Sequence, residues 1–283
     1  MSEAKLWSGA NVRSCWPLPG PSDDKYSRGV LGVITGSDAY PGAAALSVSG
    51  AIRAGAGMVR YVGPVRAQDL VLAHRPEAVI HNPGDVSEML PRAQAWLVGS
   101  GVADHPEQDA AIGAVIAAGL PMVVDAGALE AVARSRASGA REAAADTVLL
   151  TPHAEELMRT LDALRHTVTI MDIAADRAAH ARLLAEATRA TVLLKGSRTV
   201  IASPGGLLIE LPPAPPWLAT AGSGDVLAGI AGALLANGLN AADAGASAAW
   251  IHAEAARLAS GGGPVAALDI AHALPRAIAA ATT

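Results

Sequence analysis

The chain has 283 residues, of which 51% are hydrophobic and 3% aromatic, and its formal net charge is −5. A globular protein with a large core fits this composition, which excludes an intrinsically disordered chain. No block of lysines and arginines is present, so we expect no nucleic-acid partner. The single cysteine, Cys15, excludes an internal disulfide and a cysteine-based zinc site.

Targeting signals are absent from the sequence pattern. No uninterrupted apolar run reaches the ~18 residues of a membrane span, and residues 1–28 contain no apolar core of a signal peptide. We therefore expect a cytoplasmic protein without a membrane partner. Residues 1–28 are predicted to be an irregular N-terminal extension, and residues 1–283 a single domain, because no change in composition marks a boundary.

Short apolar runs alternate with amphipathic stretches along the chain. The apolar runs predict strands at Val30–Thr35, Met58–Val62, Ala95–Val98, Pro121–Asp125, Thr147–Thr151 and Thr191–Lys195. The amphipathic stretches predict helices at Ala43–Ala56, at His105–Ala118, from Glu155 onward and at Asp172–Thr188. Val200–Ser203 and Leu207–Leu211 are predicted to form a hairpin around Pro204-Gly205-Gly206. The C-terminal part of the chain is predicted to be mostly helical.

This order of elements predicts an α/β fold with a mostly parallel sheet that is covered by helices on both faces. Ligands of such sheets bind beyond the carboxyl ends of the strands, so the strand-to-helix loops are where chemistry is expected. Neither the Walker pattern nor G-x-G-x-x-G occurs in these loops. A P-loop and a standard dinucleotide fingerprint are therefore excluded.

The segment ATAGSGDVLAG, residues 219–229, carries the most specific signal. Gly222, Ser223 and Gly224 precede a strongly helical pattern, and closely spaced backbone amides at a helix start form an anion hole. Asp225 would lie in the first turn, where we expect the helix dipole to keep it ionised. A carboxylate beside a phosphate site can deprotonate a hydroxyl that attacks the phosphate. The alternative is that Asp225 is only a helix cap after a tight turn.

GSGDVLAG resembles the G-[TS]-G-D anion-hole motif of ribokinase-like enzymes, in which the aspartate is the catalytic base. Residues 36–44 (GSDAYPGAA) and 51–59 (AIRAGAGMV) resemble the N-terminal signature of the ADP- or ATP-dependent NAD(P)H-hydrate dehydratases. Further segments resemble this family in the same order along the chain: residues 98–102 (VGSGV), 123–129 (VVDAGAL), 151–156 (TPHAEE) and 194–199 (LKGSRT).

The resemblance implies two ligand-binding sets. Hydrated NAD(P)H would contact Ala43, Gly101, His153 and Asp225. The adenine nucleotide, as AMP or ADP, would contact Lys195, Gly196, Ser197, Arg198, Thr199 and Gly224. His153 and Lys195 each follow an apolar strand. An unpaired charge is unusual at the end of such a strand, so the residue pattern also suggests an anionic partner for Lys195.

Several positions depart from the family pattern. Ser100 stands where the family usually has proline, Gly127 replaces an aspartate, and Ala221 replaces a glycine. Ala154 and Glu155 replace proline and glycine after the histidine. Asp225, Lys195 and His153 are retained, and Trp250 and His252 are predicted to serve packing.

The resemblance implies a ribokinase-like three-layer sandwich and a metabolite-repair lyase. Its reaction would be ADP-dependent, or ATP-dependent, dehydration of (6S)-NAD(P)H hydrate through a transient phosphate ester, with Mg²⁺ as cofactor and no metal ligand assigned among the side chains. The chain has no room for an epimerase domain, so a separate NAD(P)HX epimerase is expected as a functional partner. A homo-oligomer, by resemblance a tetramer, is also expected.

Two other functions stay open from the residues. A ribokinase-like kinase of a vitamin precursor or a sugar would keep Asp225 and the glycines but release a stable phosphorylated product. A non-catalytic nucleotide sensor would keep the fold and the binding site, with no turnover to lose when Asp225 is replaced.

Overall fold

A computed structural model describes residues 4–103, 105–139 and 144–283 of the chain. Its strands are β1 (Lys5–Leu6), β2 (Val30–Ile34), β3 (Met58–Val62), β4 (Val79–His81), β5 (Ala95–Val98), β6 (Met122–Val124), β7 (Val148–Leu150), β8 (Thr191–Leu194), β9 (Val200–Ala202) and β10 (Leu208–Glu210). Its helices are α1 (Gly9–Cys15), α2 (Pro41–Arg53), α3 (Val65–His74), α4 (Val86–Met89), α5 (Pro106–Ala118), α6 (Leu129–Ala137), α7 (Ala154–Ala163), α8 (Ile170–Ala175), α9 (Arg177–Thr188), α10 (Ser223–Ala236), α11 (Ala241–Ser260) and α12 (Ala267–Thr282).

The strands form one sheet in the order β1-β10-β9-β8-β7-β6-β5-β2-β3-β4. Strands β4, β3, β2, β5, β6, β7 and β8 pair with one another in parallel in this order. Among the described strands, the antiparallel pairings are those of β9 with β8 and with β10. The predicted mostly parallel sheet and the predicted hairpin are therefore confirmed. The chain order reverses between β2 and β5, and such a switch point is where open α/β sheets bind ligands.

Helices cover both faces of the sheet, because its central strands are apolar on both sides. Leu31 and Leu97 face one buried cluster, which includes α2, α10, α11 and α12, whereas Ile34 and Val98 face a second cluster on the opposite side. Gly32, in the middle of β2, leaves room for the Trp96 ring, which a Cβ atom at this position would approach to 2.5 Å. The three-layer arrangement predicted from the sequence is thus present.

Close packing of α2 on α10 positions the start of α10 at the carboxyl end of the sheet. A Cβ atom at Gly229 would lie 2.2 Å from the carbonyl oxygen of Ser47, and one at Gly50 would lie 2.5 Å from that of Val226. The two helix backbones can approach this closely only because both positions lack a side chain. The Leu46 side chain of α2 also lies next to Gly222, which immediately precedes α10.

Two predictions of local structure are wrong. The helix predicted at Asp172–Thr188 is split into α8 and α9 at Asp176, whose backbone is not helical and whose side chain accepts a hydrogen bond from the Ala179 amide at 2.8 Å. Aspartate favours such capping over a helix interior, and the apolar spacing happens to continue across the break.

The N-terminal extension is not irregular throughout. It contains β1, which pairs with β10, and α1, and it buries Trp7 and Trp16 at 3% and 7% exposure. These apolar residues are too widely spaced to give a clear periodic pattern in the sequence. Among the described residues, no helix has both the length and the apolar character needed to cross a membrane.

Candidate active site

Four neighbouring parallel strands, β5 to β8, end in polar residues that meet at one point. The Asp125 carboxylate, just beyond β6, accepts hydrogen bonds from Ser100 Oγ, Thr151 Oγ1 and Lys195 Nζ, each at 2.8 Å. These three donors follow β5, β7 and β8. Asp125 is 2% exposed, and three donors satisfy its buried charge.

Glu156, in the first turn of α7, is the second carboxylate near Lys195. Its Oε2 atom lies 3.4 Å from Lys195 Nζ and accepts a hydrogen bond from the His153 amide at 2.8 Å. Burial by itself would lower the pKa of Lys195, but the charges of Asp125 and Glu156 and the hydrogen bonds to them outweigh it and raise the pKa. Lys195 is therefore an ammonium ion, and its anionic partners include two side chains of the protein itself.

Asp225 lies in the first turn of α10, which starts from Gly222 in the left-handed conformation at φ 83°. A Cβ atom at Gly222 would meet Leu46 at 2.4 Å, so a glycine is required both by conformation and by space. Burial first, and then the charges of Asp125 and Glu156, raise the pKa of Asp225 to about 7, although Lys195 acts in the opposite direction. The sequence predicts that the helix dipole favours the ionised form of Asp225, whereas burial acts in the opposite direction and raises its pKa.

The predicted anion hole has fewer available hydrogen-bond donors than the sequence suggests. The Ser223 amide donates to the Thr220 carbonyl at 3.3 Å, and the Ser223 hydroxyl donates to the Leu218 carbonyl at 2.9 Å. Both donors of Ser223 are therefore engaged within the loop. The amides of Gly224 and Asp225 come next in the first turn, where a helix offers no internal acceptor.

A cavity of about 610 Å³ opens beside this point. Of the residues predicted to bind the nucleotide, Lys195, Gly196, Ser197, Thr199 and Gly224 line it, together with Ser223 and His153. Arg198 is exposed and is not among the lining residues, so the structure does not bring it to the cavity. The proline-rich segment and α10 supply an apolar wall, formed by Ala214, Pro215, Pro216, Leu218 and Leu227.

His252 also lines this cavity, although the sequence suggested packing alone. It is 5% exposed, and its Nε2 atom has no hydrogen-bond partner. Burial lowers its pKa to about 4, so the imidazole is neutral. The position on α11 gave no signal in the sequence, because its neighbours are the small apolar residues of a helix that is buried nearly all round.

His153 caps α7 and lines the cavity of about 610 Å³. Its Nδ1 atom accepts hydrogen bonds from the amides of Glu155 and Glu156 at 3.2 and 3.4 Å, and its side chain is 46% exposed. The sequence predicts that it contacts the hydrated dinucleotide; the structure places it at the mouth of the cavity, near Lys195.

Ala43 and Gly101 meet at the switch point between β2 and β5. A Cβ atom at Gly101 would lie 2.4 Å from that of Ala43 and 3.4 Å from the Gly36 Cα atom, so the two loops are in van der Waals contact. The Gly36 amide donates to the Ser100 carbonyl at 2.7 Å and ties the loops together. Leu46, one turn beyond Ala43, contacts Gly222, so this contact between the loops lies close to the start of α10.

Comparison with known proteins agrees with this geometry. A sequence model described as NAD(P)H-hydrate dehydratase matches residues 31–276. The chain belongs to the NAD(P)H-hydrate dehydratase family. Proteins of this family include an ADP-dependent (S)-NAD(P)H-hydrate dehydratase of Neisseria meningitidis, which is 36% identical over 82% of this chain and 77% of its own length.

A bifunctional NAD(P)H-hydrate repair enzyme of Mycobacterium tuberculosis is 45% identical over 85% of this chain. The match covers 48% of that protein, so the chain spans about half the length of this relative. The crystal structure of an ADP/ATP-dependent NAD(P)H-hydrate dehydratase from Bacillus subtilis, co-crystallised with ATP/Mg²⁺, superposes with a TM-score of 0.87 at 27% identity and covers 99% of this chain and all of its own.

The ribokinase-like fold predicted from the sequence is confirmed as well. A ribokinase from Thermotoga maritima has a TM-score of 0.52 to this chain at 13% identity, which shows the shared fold alone. Among the described residues, no group of three or more His, Cys, Asp and Glu side chains is arranged to hold a metal ion.

Proposed function

We propose that this protein catalyses the ADP-dependent, or ATP-dependent, dehydration of (6S)-NAD(P)H hydrate to NAD(P)H. One observation carries the proposal: a half-buried carboxylate, Asp225, lies in the first turn of a helix, where the backbone amides have no intrahelical acceptor, and its pKa of about 7 suits a general base at neutral pH. The named activities of the N. meningitidis and B. subtilis relatives support the same reaction.

In the proposed reaction, Asp225 takes the proton from the hydroxyl group of the hydrated nicotinamide ring. The hydroxyl oxygen forms a bond to the terminal phosphorus of the nucleotide, and the bond from that phosphorus to the departing AMP, or ADP, breaks. The ring nitrogen then supplies its lone pair, and the carbon–oxygen bond breaks with release of phosphate. Loss of a proton from the adjacent ring carbon restores NAD(P)H.

The two substrates would occupy the two sides of Asp225. The nucleotide fits the 610 Å³ cavity, with its phosphates at Lys195 and the Gly224 amide and its base against the apolar wall. The hydrated dinucleotide would lie at the loops that meet at Ala43 and Gly101. We infer that Mg²⁺ arrives on the nucleotide phosphates, a common mode of Mg²⁺ binding, and we assign it no protein ligand.

The decisive experiment incubates the protein with hydrated NADH and Mg²⁺, adds ADP or ATP separately, and follows the return of dihydronicotinamide absorbance. We expect turnover with at least one nucleotide, and release of AMP and phosphate when the nucleotide is ADP. The Asp225→Asn variant should lose about 10²- to 10⁴-fold in kcat, which is the usual contribution of a general base. Asp162→Asn, an exposed aspartate at the far end of α7, should keep full activity.

The alternative functions give different results in the same assay. A small-molecule kinase would leave hydrated NADH untouched with both nucleotides and form a stable phosphorylated product from a vitamin precursor or a sugar. A nucleotide sensor would bind ADP equally well before and after the Asp225→Asn substitution, without turnover of any substrate.

Hydration of NAD(P)H gives two epimers at the new stereocentre, and a chiral site takes one of them. A separate NAD(P)HX epimerase is therefore our proposed functional partner, because it would return the other epimer to the reaction. The homotetramer and the cytoplasmic location stay predictions.

A further inference from the structure

The Asp125 carboxylate, at the carboxyl end of the sheet, accepts three hydrogen bonds from side chains. Neither the sequence motifs nor the proposed reaction gives it a role. Its Oδ2 atom accepts a hydrogen bond from the Ser100 hydroxyl, and its Oδ1 atom accepts hydrogen bonds from the Thr151 hydroxyl and the Lys195 ammonium group. The Ser100 donor follows β5, on one side of the strand that leads to Asp125, and the Thr151 and Lys195 donors follow β7 and β8, on its other side. This arrangement fixes the carboxylate more firmly than an ordinary buried ion pair would need.

Lys195 is the group that this arrangement positions. A lysine side chain has a flexible four-carbon stem and three N–H donors. Its ammonium group therefore keeps one position only when neighbouring groups hold it by hydrogen bonds. Asp125 at 2.8 Å and Glu156 at 3.4 Å account for two of these donors. The ammonium group lies at the start of α10, where a Cβ atom at Gly224 would be 3.5 Å from Nζ.

We propose that Asp125 is a positioning residue for phosphoryl transfer: it holds Lys195 at the start of α10 so that the third N–H faces the transferred phosphoryl group. The inference rests on the function proposed above. Ser100 and Thr151 keep the carboxylate in the orientation that this requires, and Ser100 does so at a position where the family usually has proline.

The same carboxylate also acts on Asp225 through its charge. The groups that shift the pKa of Asp225 are Asp125 beyond β6, Lys195 beyond β8 and Glu156 on α7. His252 of α11 is neutral, and α2 and α12, which also pack against α10, contribute no charged group to this shift. Removing the charge of Asp125 would therefore lower the pKa of Asp225.

The test is the Asp125→Asn variant, assayed for dehydration of hydrated NADH across a pH series. We expect kcat to fall on the order of 10²-fold, the usual effect of a displaced catalytic group. We also expect the acid limb of kcat/KM to move to lower pH, because this limb reports the free-enzyme pKa of the general base. The unsubstituted protein and Asp162→Asn, measured with the same nucleotide, give the reference position of the limb.

A purely structural role for Asp125 would lower the rate without moving the acid limb, and that result overturns the proposal, as does an unchanged kcat. If Asp125→Asn does not fold, Ser100→Ala serves instead, since it removes one hydrogen bond and keeps every charge. It should lower kcat up to about fivefold, the worth of one hydrogen bond, and leave the acid limb in place. An unchanged kcat in Ser100→Ala would then count against the proposal.

Failure of the proposed function would look different. In that case the unsubstituted protein itself would not turn over hydrated NADH with ADP or with ATP. Turnover by the unsubstituted protein, combined with an unmoved acid limb in Asp125→Asn, refutes only the positioning role.

Discussion

At the scale of single residues, Asp225 combines the role we propose for it, that of a general base, with a cost in stability. Its pKa is about 7 in the folded protein and about 3.9 in an unfolded chain. The carboxyl group therefore contributes stability that is fully present below about pH 4, and this contribution is lost as the pH rises through about 7. A neutral amide in its place would not titrate.

The Asp225→Asn variant should consequently become more stable relative to the unsubstituted protein as the pH rises. We expect the difference in Tm between the two proteins to be small near about pH 4 and to reach its maximum near about pH 8. Thermal unfolding followed by circular dichroism at several pH values measures it. A difference in Tm that is the same at every pH would show that Asp225 is not buried with a raised pKa.

At the scale of elements, the contact between α2 and α10 determines where the start of α10, which contains Asp225, lies. Gly229→Ala would place a methyl group 2.2 Å from the Ser47 carbonyl oxygen. Because backbone cannot yield as a flexible side chain does, we expect a loss of about 1–3 kcal/mol in the free energy of unfolding. Gly113→Ala, on the exposed face of α5 with nothing within 4 Å, should instead gain up to about 1 kcal/mol.

Urea unfolding of these two matched variants measures both changes. Equal stabilities would mean that the helices do not approach as closely as described. The activity of Gly229→Ala is informative as well, since a shift of α10 moves Asp225 relative to Lys195 and should lower kcat more than it changes the KM for the nucleotide.

At the scale of the whole molecule, the N-terminal segment joins the sheet and the helical layer. The Trp7 amide donates to the Glu210 carbonyl at 2.9 Å, which extends the pairing of β1 with β10, and α1 packs against α11 and α12. The segment therefore belongs to the same cooperative unit as the dehydratase-like residues that follow it.

We expect Trp7→Ala to lower the free energy of unfolding by about 3–5 kcal/mol, as is usual for a buried tryptophan. Leu18→Ala, at a side chain that is 63% exposed, should change it by less than about 0.5 kcal/mol. Chemical denaturation of both variants is the measurement. If Trp7→Ala proves as stable as Leu18→Ala, the N-terminal segment does not pack on the domain in solution.

The sequence by itself determined the order of most strands and helices, because apolar runs and periodic spacing are local properties of the chain. It also pointed to the loops where chemistry is expected, because Gly222 directly precedes α10, Asp225 lies in its first turn and Lys195 directly follows β8. Asp176 shows the limit of such patterns: the apolar spacing continues through a residue that ends one helix and caps the next.

Only the tertiary structure decided the charge states of the site and the partners of Lys195. Asp125 lies 70 positions from Lys195 along the chain, so no local pattern reveals that the two are paired. The pKa of Asp225 depends on its desolvation and on charges brought by α7, β6 and β8. Desolvation and through-space charge are properties of the folded arrangement, which is why the sequence pointed to Asp225 as a candidate general base but not to its raised pKa.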